Sequence, residues 1–285
     1  MDIKLLDHTQ PLGRDEEFSQ LIARYDGERR VVWMVMSAEP RPSFNSALLA
    51  DIMRLARLVR ETGLPVRFWV TASSTPGMFN AGGDLDLFAR SIRSGDRDAL
   101  RAYARACVDC IDEAMHGFGT GAISIALVDG HALGGGYECA LAHHFVLAEE
   151  QVRLGFPEIK FNLFPGMGAY PLTAVRAGRR TAERLIGWGE QHAADWHAEQ
   201  GLVDRIAPAG AGYEAVMDFM DEIGPRFNGV AAMVRTRLRS LPVSRQVLMA
   251  TTEDWAESAF SVGAAGVDYM ERLVAVQNQR FAARR

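Results

Sequence analysis

The sequence predicts an α/β fold that gives way to a helical carboxy-terminal region. Three observations carry this reading. Short runs of β-formers alternate with segments of helical spacing from residue 31 to residue 149, the pattern of helices laid against a mostly parallel sheet. The strongest run, residues 122–128 (Ala-Ile-Ser-Ile-Ala-Leu-Val), is apolar on both faces, as a central parallel strand must be. Beyond about residue 210 the strand pattern stops and only helical spacing remains.

The elements follow in order. Val31–Met36 is rich in β-formers and reads as a buried strand. Over residues 47–62, Leu48, Ile52, Leu55, Ala56 and Val59 fall at helical spacing, and Gly63 closes the segment. Residues 66–71 form a second predicted strand, followed by a turn-rich loop through Pro76 and Gly77 that ends in Asn80-Ala81-Gly82-Gly83-Asp84. A charged stretch, residues 93–98, leads into an amphipathic helix over residues 99–115. The strand at 122–128 runs into Asp129-Gly130-His131-Ala132-Leu133-Gly134-Gly135-Gly136, then a helix from near Tyr137, then a strand at Phe145–Glu149. Residues 214–223, 230–239, 244–258 and 267–281 are predicted helices. A boundary near 208–212 divides an α/β core, residues 1–208, from a helical region, residues 209–285, and no internal repeat is visible.

Composition narrows the class. With 285 residues, 48% hydrophobic and 24% charged, the chain can bury a sizeable core and does not resemble a disordered protein. A net charge of −5 gives no basic excess for a nucleic-acid partner. Lys4 and Lys160 are the only lysines, and every other strong base is arginine. No apolar run approaches the roughly 18 residues of a membrane span, and residues 1–18 lack the apolar stretch of a signal peptide. Cys107, Cys110 and Cys139 are too few for a disulfide framework. The expectation is a cytoplasmic protein with reduced thiols and no membrane partner.

Two loops carry the chemistry. Asn80-Ala81-Gly82-Gly83-Asp84 and Gly134-Gly135-Gly136-Tyr137-Glu138 each put glycine after a strand and before a helix. Glycine lets backbone approach a ligand closely, and a helix start offers unpaired N–H groups and partial positive charge. Together these suit an oxygen that gains negative charge during reaction. Neither loop fits a nucleotide-binding fingerprint, and no G-x-S-x-G nucleophile elbow occurs.

In chain order, Phe79-Asn80-Ala81-Gly82-Gly83-Asp84-Leu85, Gly130-His131-Ala132-Leu133-Gly134-Gly135-Gly136-Tyr137-Glu138, Gly155-Phe156-Pro157-Glu158-Ile159 and Phe164-Pro165-Gly166-Met167-Gly168 resemble the crotonase (enoyl-CoA hydratase) superfamily across roughly residues 30–208. The resemblance implies a spiral of ββα units followed by helices that build trimers. It also implies an acyl-thioester substrate, its carbonyl held by the N–H groups of Gly83 and Gly135, with Glu138 and Glu158 as paired catalytic carboxyls. Two carboxyls in differing environments can divide acid and base roles across an α,β bond.

The likeness narrows further. Phe44-Asn45 with the segment 46–49, Gly121-Ala122-Ile123-Ser124, the His143-His144 pair and the run from Phe161 to Tyr170 are similar to the diffusible signal factor synthases, across nearly the whole chain including the tail. That resemblance implies dehydration of a 3-hydroxyacyl thioester on acyl carrier protein, then hydrolysis to a free cis-2-unsaturated fatty acid. It implies no cofactor, and an acyl pocket to which Leu133, Gly134, Met167, Trp255 and Leu273 contribute. It also implies a homotrimer or dimer of trimers, and a cognate signal sensor as a further partner. The alternatives are an enoyl-CoA hydratase of fatty acid breakdown and a non-catalytic crotonase-fold binding protein. Arg176, Arg179, Arg180 and Arg184 are candidates for a rim facing an acidic carrier, with a solvated helix face the simpler account.

Other features carry less. Cys107-Val108-Asp109-Cys110 lies within a helix with no second pair and is read as structural. His143 and His144 point in different directions, which argues against a shared metal. His131 shapes its loop, and Asp84 caps the helix that follows it.

Overall fold

A computed structural model describes residues 1–14 and 17–282. Strands β1 (Gln10–Pro11), β2 (Leu21–Asp26) and β3 (Val31–Met36) form an antiparallel entry. Helix α1 (Ser46–Thr62) then returns the chain so that β4 (Phe68–Ser73) lies parallel to β3. From β4 onward the chain winds as a spiral, each turn giving one strand to a large sheet and one to a small sheet before a helix. The first turn is β4, β5 (Met78–Asn80), α2 (Leu85–Ser94) and α3 (Arg97–Met115); the second is β6 (Ile123–Val128), β7 (His131–Leu133) and α4 (Gly135–Ala142). The third is β8 (Phe145–Glu149), β9 (Arg153–Gly155), a 3-10 turn at Pro157–Phe161, α5 (Ala169–Ala177) and α6 (Arg179–Gly187). Strand β10 (Gln191–Ala193), α7 (Ala194–Glu199) and β11 (Arg205–Ala207) complete the sheets. The large sheet runs β1-β2-β3-β4-β6-β8-β11, parallel from β3 on, and the small one β10-β9-β7-β5.

Strands β3, β4 and β6 are buried along their whole length, which is why they read as continuous apolar runs. Side chains alternate between two cores, as the period of two requires. Val32, Met34 and Met36 face the larger core with α1 and α3, while Val31, Trp33 and Val35 face α8 (Gly212–Ile223) and α9 (Phe227–Ser240). The last two helices, α10 (Arg245–Ala259) and α11 (Gly263–Ala282), lie across α3 and α2. Trp255, Ala259, Val267 and Met270 join the larger core, so the tail shares its apolar interior with the spiral.

The expected long elements stand where the periodicity puts them. The second strand is displaced by two residues, to Phe68–Ser73, because its pairing with β3 starts at Phe68 opposite Val31. Strands β5, β7 and β9 lie inside segments that the sequence shows only as loops, since three residues leave no period to detect. Helix α2 follows the first glycine loop, with Asp84 accepting a hydrogen bond from Leu87 N, the expected cap. Among the described residues no helix is long and apolar enough to cross a membrane.

The point that positions the functional region is the contact between α4 and the end of β5. A Cβ added at Gly136 would overlap the Asn80 carbonyl oxygen, so the helix and strand approach at a distance only glycine permits. Gly136→Val should lower the urea-unfolding free energy by about 1–3 kcal/mol or more through overpacking. An unchanged midpoint and slope would show that the contact yields without cost.

Candidate active site

The two glycine loops touch. A Cβ at Gly82 would fall 2.9 Å from Leu133 O and 3.1 Å from Gly135 N. The loop hydrogen bonds are spent locally: Gly82 N donates to Asn80 Oδ1 at 2.8 Å, Gly134 N to Gly155 O at 2.9 Å, and Tyr137 N and Glu138 N to Gly134 O. The N–H groups of Gly83 and Gly135 take no part in these bonds. Gly135 opens α4, so its N–H precedes the first intrahelical bond and carries the positive end of the helix. The geometry thus sets two backbone donors side by side.

Glu138 sits in the first turn of α4 and is almost fully buried. Its Oε1 accepts hydrogen bonds from Met167 N at 2.7 Å and Ala169 N at 2.8 Å. Burial pushes this carboxyl up to about 7, against the opposing pull of those backbone donors. Glu158 enters from the 3-10 turn that Pro157 starts and Asn162 ends in the left-handed region. Its carboxylate lies over Gly134, where a Cβ would collide with Oε1 and where φ is +52°, a conformation that suits glycine. Its Oε2 is buried without a hydrogen-bond partner. Burial first, and the neighbouring Glu138 charge second, hold Glu158 well above the usual carboxylate range. Both carboxyls are thus held above the usual carboxylate range, and Glu158 stays protonated where Glu138 begins to ionise.

Both glutamates and both glycines line one cavity of about 290 Å³, and so do Leu133, Gly134, Met167, Trp255 and Leu273. These nine residues are thus brought together, although they come from six separate stretches of chain. The walls are mostly apolar, supplied in part by α2, α3, α10 and α11, with a few polar groups among them, the usual build of a small-molecule site. Lining residues that the sequence did not mark include Phe88, Tyr103, Lys160 and Arg280. Lys160, one of only two lysines in the chain, was visible as a rarity; Phe88 and Tyr103 look like ordinary apolar-face positions.

The arginines considered for the rim lie elsewhere. Arg176 donates to the His143 carbonyl and pairs with Asp204 at 3.5 Å. Arg179 and Arg184 pair with Glu183 and Glu190, and none of the four lines the cavity. Among the described residues, the cations lining the cavity are Lys160 and Arg280 instead. The three cysteines are buried free thiols. Cys107 lines the cavity, but burial raises its thiol strongly, so it stays protonated. His143 Nε2 meets Thr71 Oγ1 while His144 Nδ1 accepts from Ser124 N. His131 Nδ1 accepts from Arg153 N, tying its loop to β9. No group of three or more His, Cys, Asp or Glu among the described residues is arranged to hold a metal.

Residues 31–250 match the enoyl-CoA hydratase/isomerase family, and the chain belongs to it. An enoyl-CoA isomerase/hydratase of Mycosarcoma maydis is 30% identical over 158 residues, covering 55% of this chain and 57% of that protein. The matched region thus spans a little over half the length of that curated relative. An enoyl-CoA hydratase from Bacillus halodurans superposes with a TM-score of 0.76 at 15% identity, covering 89% of this chain and all of that one. Pseudomonas aeruginosa DspI superposes at 0.71 and 22% identity, covering 81% and 91%. These two structures establish the crotonase fold, with its spiral core and helical tail.

The raised carboxyls have a stability signature. A carboxyl whose folded pKa lies above its unfolded value is favourable while protonated, and stability falls as pH rises from the unfolded value through the folded one. Glu158→Gln removes that loss. Its melting temperature should exceed that of the parent protein at pH 8, and the gap should shrink toward pH 5. A gap independent of pH would show that Glu158 is not held protonated.

Proposed function

We propose that this chain is a diffusible signal factor synthase, which dehydrates a 3-hydroxyacyl thioester on acyl carrier protein to the cis-2-enoyl thioester and hydrolyses that to the free acid. The observation that carries the reading is that two buried carboxyls, both held above the usual range, line one mostly apolar cavity with the backbone donors of Gly83 and Gly135. The resemblance of the run from Phe161 to Tyr170 and of the tail to these synthases supports it over a plain hydratase.

In the first step the ionised member of the pair takes the Cα proton. Charge moves onto the thioester oxygen, where the N–H groups of Gly83 and Gly135 stabilise it. The protonated member gives its proton to the β-hydroxyl, which leaves as water. In the second step a carboxylate of the pair takes a proton from water as that water adds to the thioester carbonyl. The tetrahedral oxyanion occupies the same donors, then collapses with cleavage of the C–S bond, and the carboxyl passes the proton it took from water to the departing thiolate. Neither step requires an acyl-enzyme. The apolar wall of Met167, Trp255 and Leu273 receives the acyl chain, and Lys160 and Arg280 suit the anionic carrier arm.

A plain enoyl-CoA hydratase would use the same four polar groups and release no acid. Purified protein with 3-hydroxydodecanoyl-acyl carrier protein should yield free cis-2-dodecenoic acid by mass spectrometry. Glu138→Ala and Glu158→Ala should each abolish it, and the glutamine variants should lower kcat by about 10²–10⁴-fold. Only trans-2-enoyl thioester would assign the hydratase instead, and no turnover of this or the CoA ester would leave a binding protein. Because the base must be ionised and the Glu138 carboxyl lies at about 7, kcat/KM should fall as pH drops below that value. A profile flat from pH 5 to 8 would remove Glu138 from the acid–base pair.

A further inference from the structure

The Gly83 N–H lies in the Gly82–Gly83 peptide plane, and both that plane and the Gly83–Asp84 plane that follows it are held. On one side Gly82 O accepts from Phe44 N at 2.8 Å and Gly82 N donates to Asn80 Oδ1. On the other, Asp84 N donates to the Tyr103 hydroxyl at 3.1 Å, and that hydroxyl donates to Phe44 O at 2.7 Å. Tyr103 thus ties the far side of Gly83 to the same Phe44 backbone that holds the near side. Phe88 adds a steric stop: its ring lies where a Gly83 side chain would begin.

The same ring reaches the acyl wall. Phe88 packs edge-to-face on Tyr103, with centroids 5.3 Å apart, and on Trp255, 4.9 Å apart. Tyr103, Phe88 and Trp255 all line the cavity. One aromatic ring therefore separates the surface that meets the chain from the donor that meets the carbonyl.

We propose that Tyr103 and Phe88 are positioning residues that aim the Gly83 N–H at the thioester oxygen, with Trp255 coupling that clamp to the acyl chain. The proposal rests on the reading of Gly83 as a carbonyl donor. It gives chain length a route into kcat as well as into binding, because a chain that packs on Trp255 braces Phe88 against Gly83. Tyr103→Phe keeps the ring and removes both hydrogen bonds. Phe88→Leu keeps both bonds and removes the stop.

The test reads the carbonyl directly. A dodecanoyl analogue with methylene in place of the thioester sulfur cannot be hydrolysed, and a 13C label at its carbonyl permits isotope-edited infrared spectra. Presented on acyl carrier protein, it should show a carbonyl stretch at lower frequency on the parent protein than free in buffer. Tyr103→Phe should lose much of that downshift and about 10–100-fold in kcat, with KM within about threefold, since a misaimed donor is felt mainly in the transition state. Phe88→Leu should show a smaller loss and a flattened dependence of kcat on acyl length, and it carries the test alone if Tyr103→Phe does not fold. A downshift that persists in the variants overturns the clamp while leaving Gly83 as donor. No downshift on the parent protein overturns the donor reading and the clamp with it.

Discussion

Everything in the functional region hangs on one close approach, that of the second glycine loop to the end of β5. Helix α4 packs on the Asn80 carbonyl without room for a side chain, and the Gly82 backbone rests on Leu133 O and Gly135 N. Two turns of the spiral are locked together there by backbone alone. The large sheet supplies the rigidity, since β4 and β6 run as parallel buried neighbours into the segments that become the loops. A fold that repeats one ββα unit naturally brings successive strand ends to the same edge, and this one uses two of them to place two donors.

The second constraint is electrostatic. Two buried carboxyls line one cavity, one steadied by the Met167 and Ala169 backbone and the other left with an unpartnered oxygen. Burying a carboxylate without partners is costly, and the group answers by keeping its proton. The same arrangement that weakens the fold at high pH provides an acid beside a base. Stability given up at a site of this kind is a common trade for reactivity.

Much of this was legible in the sequence, for definite reasons. The runs that became β3, β6 and β8 and the stripe of α1 are long enough for period and composition to decide them. Strands β5, β7 and β9 exist only through pairing with one another and leave no local trace. Glu138 and Glu158 are 20 positions apart, a spacing without meaning until the spiral folds; family likeness joined them where spacing does not. Phe88 is flanked by Asp86 and Arg90 in a short charged helix, and Tyr103 is one apolar position among many on α3. Their roles arise from tertiary contacts with Gly83 and Phe44, which no periodicity encodes.

The tail gives the cavity a different kind of wall. Arg97, Arg101 and Arg105 of α3 pair with Glu253 and Glu257 of α10, and Arg93 of α2 pairs with Asp268 and Glu271 of α11. These pairs are roughly a third to a half exposed, so dissolved ions screen them in part, whereas the opposite wall is backbone packed on backbone. Added salt therefore weakens these ties between α2, α3 and the last two helices, while the packing of α4 on β5 has no charge to screen. The side of the cavity built on α10 and α11 is held in part by charge, and the side built on α4 by close packing alone.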